Sequence, residues 1–414
     1  MSKIWNFLGS FCTFYLFTYS AQAFTLEEIY KSAIENTSVI QEKKYAEDIA
    51  REQETQAIAT VLPTVAAVST NTWRDEIPAV GPFGEGYQHF GAVNLSQPLF
   101  QGGAEYYALK NAQKFPDIAK YQREQEELAL YRLVGQAFYQ AIRSEQDLAI
   151  YIEQQKTLGE RVKTLEKRAR IGRSRGTDLI AARSQLARVT AELSKVKQQI
   201  IVAKNLLKNI SGLERIDQLV DNSTPGSLSL SGSWEKHLMK TPLIKANELL
   251  VQNAKREIEA ARGSFLPTVD LDGNYFLDRA GILQDSKWEV TVNARWELFS
   301  GGRDASQIRI KKLQALQLEA QLNDMKRNLK NDFNSLQEEF VMHKQITKEM
   351  RQAVKLAKQN YEQHIVEANR GLVSDLEALR VLEEYLQIRR TLDQQLFELK
   401  MTWVNMRALA GEHP

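Results

Sequence analysis

The fold is decided by a seven-residue stretch that occurs twice, as QPLFQGG at 97–103 and as WELFSGG at 296–302. The two copies lie 199 residues apart in the chain. The tetrapeptide LPTV at 62–65 also returns unchanged at 266–269, upstream of each stretch. Because the markers recur in one order, the sequence predicts two copies of a single structural unit.

Each predicted unit contains an opening helix, a pair of strand-like runs, a long helix after the Gly-Gly pair and a shorter return helix. The helical stretches are rich in Gln, Glu, Lys, Leu and Ala, and their apolar residues recur three or four positions apart, as in packed helices. Pro116 is expected to kink the first long helix. The predicted boundaries are a signal peptide 1–23; a first unit 24–212 with hairpin 61–100, long helix 104–170 and return helix 177–211; a linker 213–233; and a second unit 234–414 with hairpin 265–299, long helix 303–370 and return helix 375–410.

The most regular strand-like run covers residues 288–298, where apolar and polar side chains alternate. A period of two with a tryptophan near each end is typical of a membrane strand with lipid on one side and water on the other. The alternative, an edge strand of a soluble sheet, fits poorly because exposed tryptophans need an apolar layer to contact. The residues predicted to face lipid are Trp288, Val290, Val292, Trp296 and Leu298.

The N-terminal segment predicts export from the cytoplasm. Lys3 is the only charge among the first 23 residues, an apolar stretch follows it, and AQA at 21–23 has the small residues that signal peptidase requires. An N-terminal anchor is the alternative, although an anchor needs about 20 apolar residues. Cys12 is the sole cysteine and lies in this segment. The mature chain is therefore expected to have no disulfide, thiolate metal site or cysteine nucleophile.

Charge and hydropathy limit the partners. The chain has 54 basic and 52 acidic residues, and this balance gives no reason to expect a nucleic acid partner. No long apolar run follows Ala23, so a membrane-crossing part would have to consist of strands. Four strands cannot close a barrel, and open edges leave backbone groups unpaired in lipid. Three copies would supply twelve strands and room for a lumen.

Together, the signal segment, the paired LPTV strands, the paired Leu-Phe-x-Gly-Gly ends, the long helices and the glycine turns resemble the TolC family of outer-membrane efflux and type I secretion channel proteins. The resemblance covers essentially the whole mature chain. It implies an α+β membrane protein: mostly long α-helices that form a tunnel, with four β-strands per chain in a trimeric, 12-stranded transmembrane β-barrel. It also implies a homotrimer in outer-membrane lipid that extends into the periplasm, and docking to a periplasmic adaptor (membrane fusion) protein and an inner-membrane pump or ABC transporter.

The resemblance further implies a closed aperture at the turns between the long and the return helices, lined by acidic side chains. Asp178 follows Gly172 by six residues, and Glu377 follows Gly371 by six, again 199 residues apart. Three copies of Glu377 around a narrow opening would attract cations and repel anions. The alternative explanation is that carboxylates favour helix N-termini because they offset the helix dipole.

Two further residues affect this predicted aperture. Arg380 stands nine residues after Gly371, where the family often has a second acid, and Asp375 could supply the missing charge. The turns themselves are the expected docking points for the adaptor. The turn residues assigned to docking are Gly172, Gly176, Gly371 and Ser374.

An enzyme fits the sequence poorly. The five histidines include no pair at helical metal-ligand spacing, and no phosphate loop or nucleophile elbow is present. Asp270 and Asp272 could share a cation, but solvated lumen residues explain them as well. We therefore expect no catalytic, cofactor or metal site. A periplasmic helical-hairpin adaptor or scaffold is the alternative function, and the sequence does not distinguish drug, metal or protein cargo.

Overall fold

The structure is a computed structural model, and it describes residues 23–75, 86–171, 176–223, 237–279 and 285–414. The predicted signal peptide, apart from Ala23, and the turn residue Gly172 lie outside these ranges. In chain order the elements are β1 (Ala23–Phe24), α1 (Leu26–Asn36), α2 (Ser38–Ala59), β2 (Thr64–Trp73), β3 (Tyr87–Gln101), α3 (Ala104–Ala112), α4 (Phe115–Arg170), α5 (Gly176–Ser211), β4 (Gln218–Leu219), α6 (Pro242–Arg262), β5 (Thr268–Asp278), β6 (Trp288–Arg295), α7 (Arg303–Asn369) and α8 (Asp375–Leu409). A short 3-10 turn, Gly263–Phe265, joins α6 to β5.

The first long helix differs from the prediction of one helix over 104–170. Helix α3 ends at Ala112, and α4 begins at Phe115 with Pro116 in its first turn. Proline lacks the backbone N–H that an interior position must donate, but the first turn of a helix leaves that donor unused. Pro116 therefore starts a new helix instead of kinking a continuous one.

The long helices pack side by side. Helix α4 lies between α5 and α8, and α8 lies between α4 and α7, so that α5 and α7 form the two edges of this layer. Residues 322, 329, 333 and 340 of α7 are buried against Leu399 and Met406 of α8. Their spacing of four and seven places them on one helix face, and burial of each such side chain stabilises the fold by about 1.5–3 kcal/mol. None of the helices within the described ranges combines the length and the apolarity that a bilayer-crossing helix needs.

Four strands form one antiparallel sheet in the order β2-β3-β5-β6. The register pairs Val65 with Leu95, Leu95 with Gly273, and Gly273 with Val290. Strand β3 continues to Gln101 because its last residues pair with the beginning of β5, where Gln101 lies opposite Thr268. Strands β2 and β6 are the edges of this sheet.

The first Gly-Gly pair joins the sheet to the helices through a close backbone contact. Gly102 has a φ of +67°, and a Cβ added there would lie 2.2 Å from the carbonyl oxygen of Gly263. Only glycine can adopt that φ without strain and allow this approach. The corresponding Gly301 has a φ of +64°, but a Cβ added there would meet nothing within 4 Å.

Candidate functional site

One face of the four-stranded sheet is apolar and exposed. Trp288, Val290 and Val292 point to the same side of β6 and are 60–68% exposed. Cross-strand pairing extends this face across the sheet, and its apolar residues include Val65, Leu95, Leu271, Tyr275, Trp288, Val290 and Val292. Toward the loop end the same side also carries the polar residues Ser69, Asn71 and His89. A continuous exposed apolar face of this kind marks a contact with lipid or with another protein surface.

The opposite face carries a hydrogen-bonded polar network around the two aspartates of β5. The carboxylate of Asp272 accepts hydrogen bonds from the Ser96 hydroxyl and from the Asn293 amide, each at 2.8 Å. Asp270 accepts from the Gln101 amide at 2.6 Å. Neighbouring side chains thus satisfy both carboxylates, as expected for a solvated sheet face, and within the described ranges no group of acids and histidines forms a metal-binding cluster.

Aromatic side chains lie at both ends of the apolar face. At the loop end, the rings of Trp73 and Tyr87 are 5.5 Å apart, and Tyr275 pairs with Trp288 across β5 and β6. At the helix end, the Trp296 indole N–H donates to the carbonyl oxygen of Phe265 at 3.0 Å. Such paired aromatic belts are typical of strands that cross a bilayer.

The end of β6 corrects one strand boundary. Trp296 and Leu298 were expected to continue the strand, but β6 ends at Arg295, which pairs with Thr268. Strand β5 begins at Thr268, so the residues after Arg295 have no strand of the same chain to pair with. Trp296 and Leu298 are 61% and 79% exposed, and their contact with lipid stays a prediction.

The turn between α7 and α8 depends on two residues with different backbone roles. Gly371 has a φ of +77°, where a side chain would be strained. Ser374 is the N-cap of α8, and its Oγ accepts a hydrogen bond from the backbone N–H of Glu377 at 3.1 Å. This local geometry explains both residues independently of adaptor docking, which stays a prediction.

The candidate aperture residues lie on the first two turns of α5 and α8. Glu377 and Arg380 are exposed and Asp178 is half-buried, whereas the side chain of Asp375 lies outside the described part of the chain. Gly176, the first residue of α5, is exposed. The starts of the two return helices are near each other.

A small apolar cluster brings those helix starts together. Leu379 of α8 packs in the same cluster as Ala182 of α5 and Leu165 of α4. The guanidinium of Arg188 on α5 also forms an ion pair with Glu383 on α8. The return helices are thus held together by apolar and charged contacts within about three helical turns of the predicted aperture.

Two aspartates that are absent from the predicted site, Asp147 and Asp393, lie partly buried between α4 and α8. Burial and the negative charge of Asp147 raise the pKa of Asp393 to about 6, against the opposing effect of the Arg389 and Arg143 guanidiniums. Burial likewise raises the pKa of Asp147, although Arg143 Nε is 3.9 Å from its carboxylate. The native helices therefore hold two carboxylates in surroundings that disfavour their charge.

A sequence signal for Asp393 does exist. Asp393 follows the fully buried Leu386 by seven residues and precedes Phe397, which packs against the core, by four. A carboxylate at that spacing occupies the packing seam of the helix. The partner Asp147 is 246 residues away in sequence, so the pair becomes visible only in the structure.

Long paired helices attached to a small sheet with one apolar and one polar face define the outer-membrane channel fold. Crystal structures of CusC, which describe the conformational changes that accompany its folding and transmembrane channel formation, have this fold. CusC matches with a TM-score of 0.85 at 16% identity, over 94% of this chain and 92% of CusC.

The chain belongs to the outer membrane efflux protein family, whose model matches residues 29–213 and again residues 235–412. Outer membrane protein TolC of Vibrio cholerae serotype O1 is 23% identical over 297 residues, which are 68% of this chain and 66% of TolC. Protein CyaE of Bordetella pertussis is 27% identical over 228 residues, which are 51% of this chain and 47% of CyaE. The matched part thus spans less than two thirds of either relative. The predicted membership of the TolC family is confirmed.

Proposed function

We propose that the chain is one subunit of a homotrimeric channel-tunnel. Its four strands contribute to a twelve-stranded barrel in the outer membrane, and its long helices form a tunnel through the periplasm. The assembly is a passive exit duct, and transport through it involves no enzymatic step. It serves a tripartite efflux pump or a type I secretion system, with a periplasmic adaptor and an inner-membrane pump or ABC transporter. The observation that carries the proposal is a sheet with an apolar face, a polar face and two open edges.

The junction between β3 and β5 provides the template for the junction between copies. In the twofold repeat, β3 corresponds to β6 and β5 corresponds to β2. Strand β6 of one copy can therefore pair with β2 of the next copy in the way that β3 pairs with β5 inside the chain. Pairing around a closed ring removes both open edges, which would otherwise leave unpaired backbone groups in lipid at several kcal/mol each.

The template also accounts for the length of β6. In the chain, Gln97 lies opposite Leu271. In the repeat, Trp296 is the equivalent of Gln97 and Ala67 is the equivalent of Leu271. Trp296 would therefore lie opposite Ala67 of the next copy. The neighbouring β2 would thus supply the partner that residues after Arg295 lack. On this basis Trp296 and Leu298 join the membrane strand when the copies assemble.

The helical layer supports the same closure. Its two edge helices carry exposed apolar residues, including Ile201 and Val202 of α5 and Leu313 and Leu316 of α7, which are 59–65% exposed. Contact between α5 of one copy and α7 of the next would cover these side chains. Burial of each would add about 1.5–3 kcal/mol to the assembly.

The tip turns complete the proposal. Three copies of Glu377, with Asp178 and Asp375, form an acidic aperture that favours cations, and Arg380 moderates its charge. The adaptor docks at the turns that contain Gly172, Gly176, Gly371 and Ser374.

Cysteine cross-linking tests the proposed register, because the sole cysteine, Cys12, lies in the predicted signal peptide. The internal pair Asn94–Asn274 translates into Asn293 and Thr70 of the next copy. The Asn293→Cys, Thr70→Cys variant should form covalent trimers on oxidation. The matched control, Asn293→Cys with Thr64→Cys, moves one cysteine by six residues, or about 20 Å along β2, and should not cross-link.

Two measurements on the unmodified protein complete the test. The chain should remain in the outer membrane after salt and alkaline washing, and the purified protein should have a trimeric mass and give single-channel currents in a planar bilayer. A monomer that washes off and carries no current would be a periplasmic scaffold, and would exclude the channel.

A further inference from the structure

Three side chains from three strands form a linear hydrogen-bonded relay near the loop end of the sheet. The Ser69 Oγ on β2 lies 3.2 Å from Nε2 of His89 on β3. Nδ1 of the same ring lies 2.8 Å from Oδ2 of Asp278 on β5. The serine is exposed, and the histidine and aspartate side chains are 36% and 60% exposed, so the group is open to a ligand.

A β-bulge brings Asp278 into this relay. Ala92 lies opposite Phe276, whereas the preceding Gly91 lies opposite Asp278, so that one residue of β5 is skipped. Without the bulge, Asp278 would point to the same face as Phe276. The extra residue turns its carboxylate to the opposite face, where His89 lies. Bulges that redirect a side chain in this way are over-represented next to active sites.

The geometry sets the proton positions. The carboxylate of Asp278 can only accept, so Nδ1 of a neutral His89 carries the proton and donates to it. Nε2 then has a free lone pair that accepts the Ser69 hydroxyl hydrogen. This is the arrangement in which a histidine acts as a general base toward a serine nucleophile, while an acid orients the ring.

The surroundings indicate the substrate class. Ser69 and His89 lie on the apolar face, close to the Trp73–Tyr87 ring pair at its loop end. In the proposed membrane position, such aromatic rings lie at the bilayer interface, which is also the depth of the ester groups that join acyl chains to a lipid headgroup. Asn71, two residues beyond Ser69 on the same face, accepts a hydrogen bond from the Tyr87 hydroxyl at 2.8 Å through Oδ1. Its amide N–H group can serve a developing oxyanion.

We propose that Ser69, His89 and Asp278 form a catalytic triad that cleaves carboxylic esters of membrane lipids. The lipid substrate rests on the proposed function, because it requires the apolar face to contact the bilayer. Ser69 and His89 are the catalytic residues, and Asp278 is a positioning residue.

The reaction needs water as its only co-reactant. Ser69 Oγ attacks the ester carbonyl carbon while its proton passes to His89 Nε2. The carbon–oxygen bond to the alcohol then breaks, and the alcohol leaves with that proton. Water attacks the acyl-serine with His89 again as the base, which releases the fatty acid and restores the serine.

A fluorophosphonate probe tests the nucleophile on the full chain in detergent. The probe should label Ser69, as located by peptide mass, and Ser69→Ala should lose the label. His89→Gln should slow labelling by about 100-fold. Asp278→Asn should slow it by up to the same factor, and Asp278→Glu should recover part of the rate, because a carboxylate again orients the ring. The matched control is Ser96→Ala, which removes a hydroxyl from the opposite face and should label normally.

Lipid hydrolysis and conductance separate the two proposals. The protein in vesicles of a fluorogenic phospholipid should release fatty acid, and Ser69→Ala should abolish the release while its single-channel conductance stays unchanged. A conducting channel with no label on Ser69, or with equal labelling in His89→Gln, would overturn the triad and leave the channel intact. Labelled protein that gives no current and no lipid hydrolysis would overturn the proposed channel and the lipid substrate together.

Discussion

Asp393 should weaken the packing of α4 against α8 at neutral pH, and Asp393→Asn should relieve this penalty. The carboxyl has a pKa raised from 3.8 to about 6, chiefly by burial and secondly by the charge of Asp147. Between those two pH values the native chain keeps a proton that the unfolded chain has released. Stability therefore falls as the pH rises through this window, and the full penalty is present above about pH 6.

The size of the effect follows from the same values. A difference of about two between the native and unfolded pKa corresponds to about 3 kcal/mol. Because Asp393 is only half-buried, solvent screening reduces this to about 1 kcal/mol. In a chain of this length, that free energy should change the unfolding temperature by about 1 °C.

Thermal unfolding followed by circular dichroism can measure this difference. At a pH near 7.5, Asp393→Asn should unfold about 1 °C above the unchanged protein, and near pH 4 the two should coincide. The control is Asp324→Asn, whose exposed carboxylate pairs with Arg327 at 2.9 Å on the surface of α7. A lower unfolding temperature for Asp393→Asn near pH 7.5 would refute the reasoning, because it would mean that Arg389 and Arg143 stabilise the ionised carboxylate by more than burial penalises it.

Three other substitutions test the packing and the tip. Gly135→Ala should lower stability by about 1–3 kcal/mol, since its new Cβ would lie 3.0 Å from Val404 Cγ1. In thermal unfolding, the double variant Gly135→Ala, Val404→Ala should lose less stability than the sum of the losses of the two single variants. Gly102→Ala should disrupt the sheet–helix junction, whereas Gly301→Ala in the isolated chain should lower stability by only about 1 kcal/mol because of its positive φ. Chemical unfolding measures both losses of stability, and equal losses would contradict the contact between Gly102 and Gly263. Replacing Glu377 and Asp375 together with alanine should reduce cation selectivity, measured as a reversal potential in a salt gradient; an unchanged potential would remove both residues from the aperture.

The sequence predicts those parts of the fold that depend on local pattern. The alternation over residues 288–298 predicts a strand because period two is a property of the backbone itself. The Gly-Gly pairs predict sharp junctions because a positive φ favours glycine. Apolar spacing predicts the long helices in the same way, although it did not reveal that Pro116 begins a helix.

Other features depend on what lies across the chain. The end of β6 is set by where β5 begins, and neither Trp296 nor Leu298 has a property from which this end could be predicted. The relay of Ser69, His89 and Asp278 joins positions far apart in sequence, and its geometry depends on a bulge that alternation alone does not predict. The candidate site was therefore predicted as a set of surfaces, while its specific polar groups required the structure.

The contrast between the two Gly-Gly junctions bears on the order in which the proposed assembly would form. The first junction closes inside the chain, where the backbones of Gly102 and Gly263 touch. In the repeat, Ala59 is the equivalent of Gly263, so the second junction would close when Gly301 contacts Ala59 of the next copy. One half of the architecture would then form at a rate independent of protein concentration, and the other half at a rate set by encounter between chains. Until that encounter the edges of β2 and β6 stay unpaired, so dilution would prolong the interval in which separate chains are open to edge-to-edge aggregation.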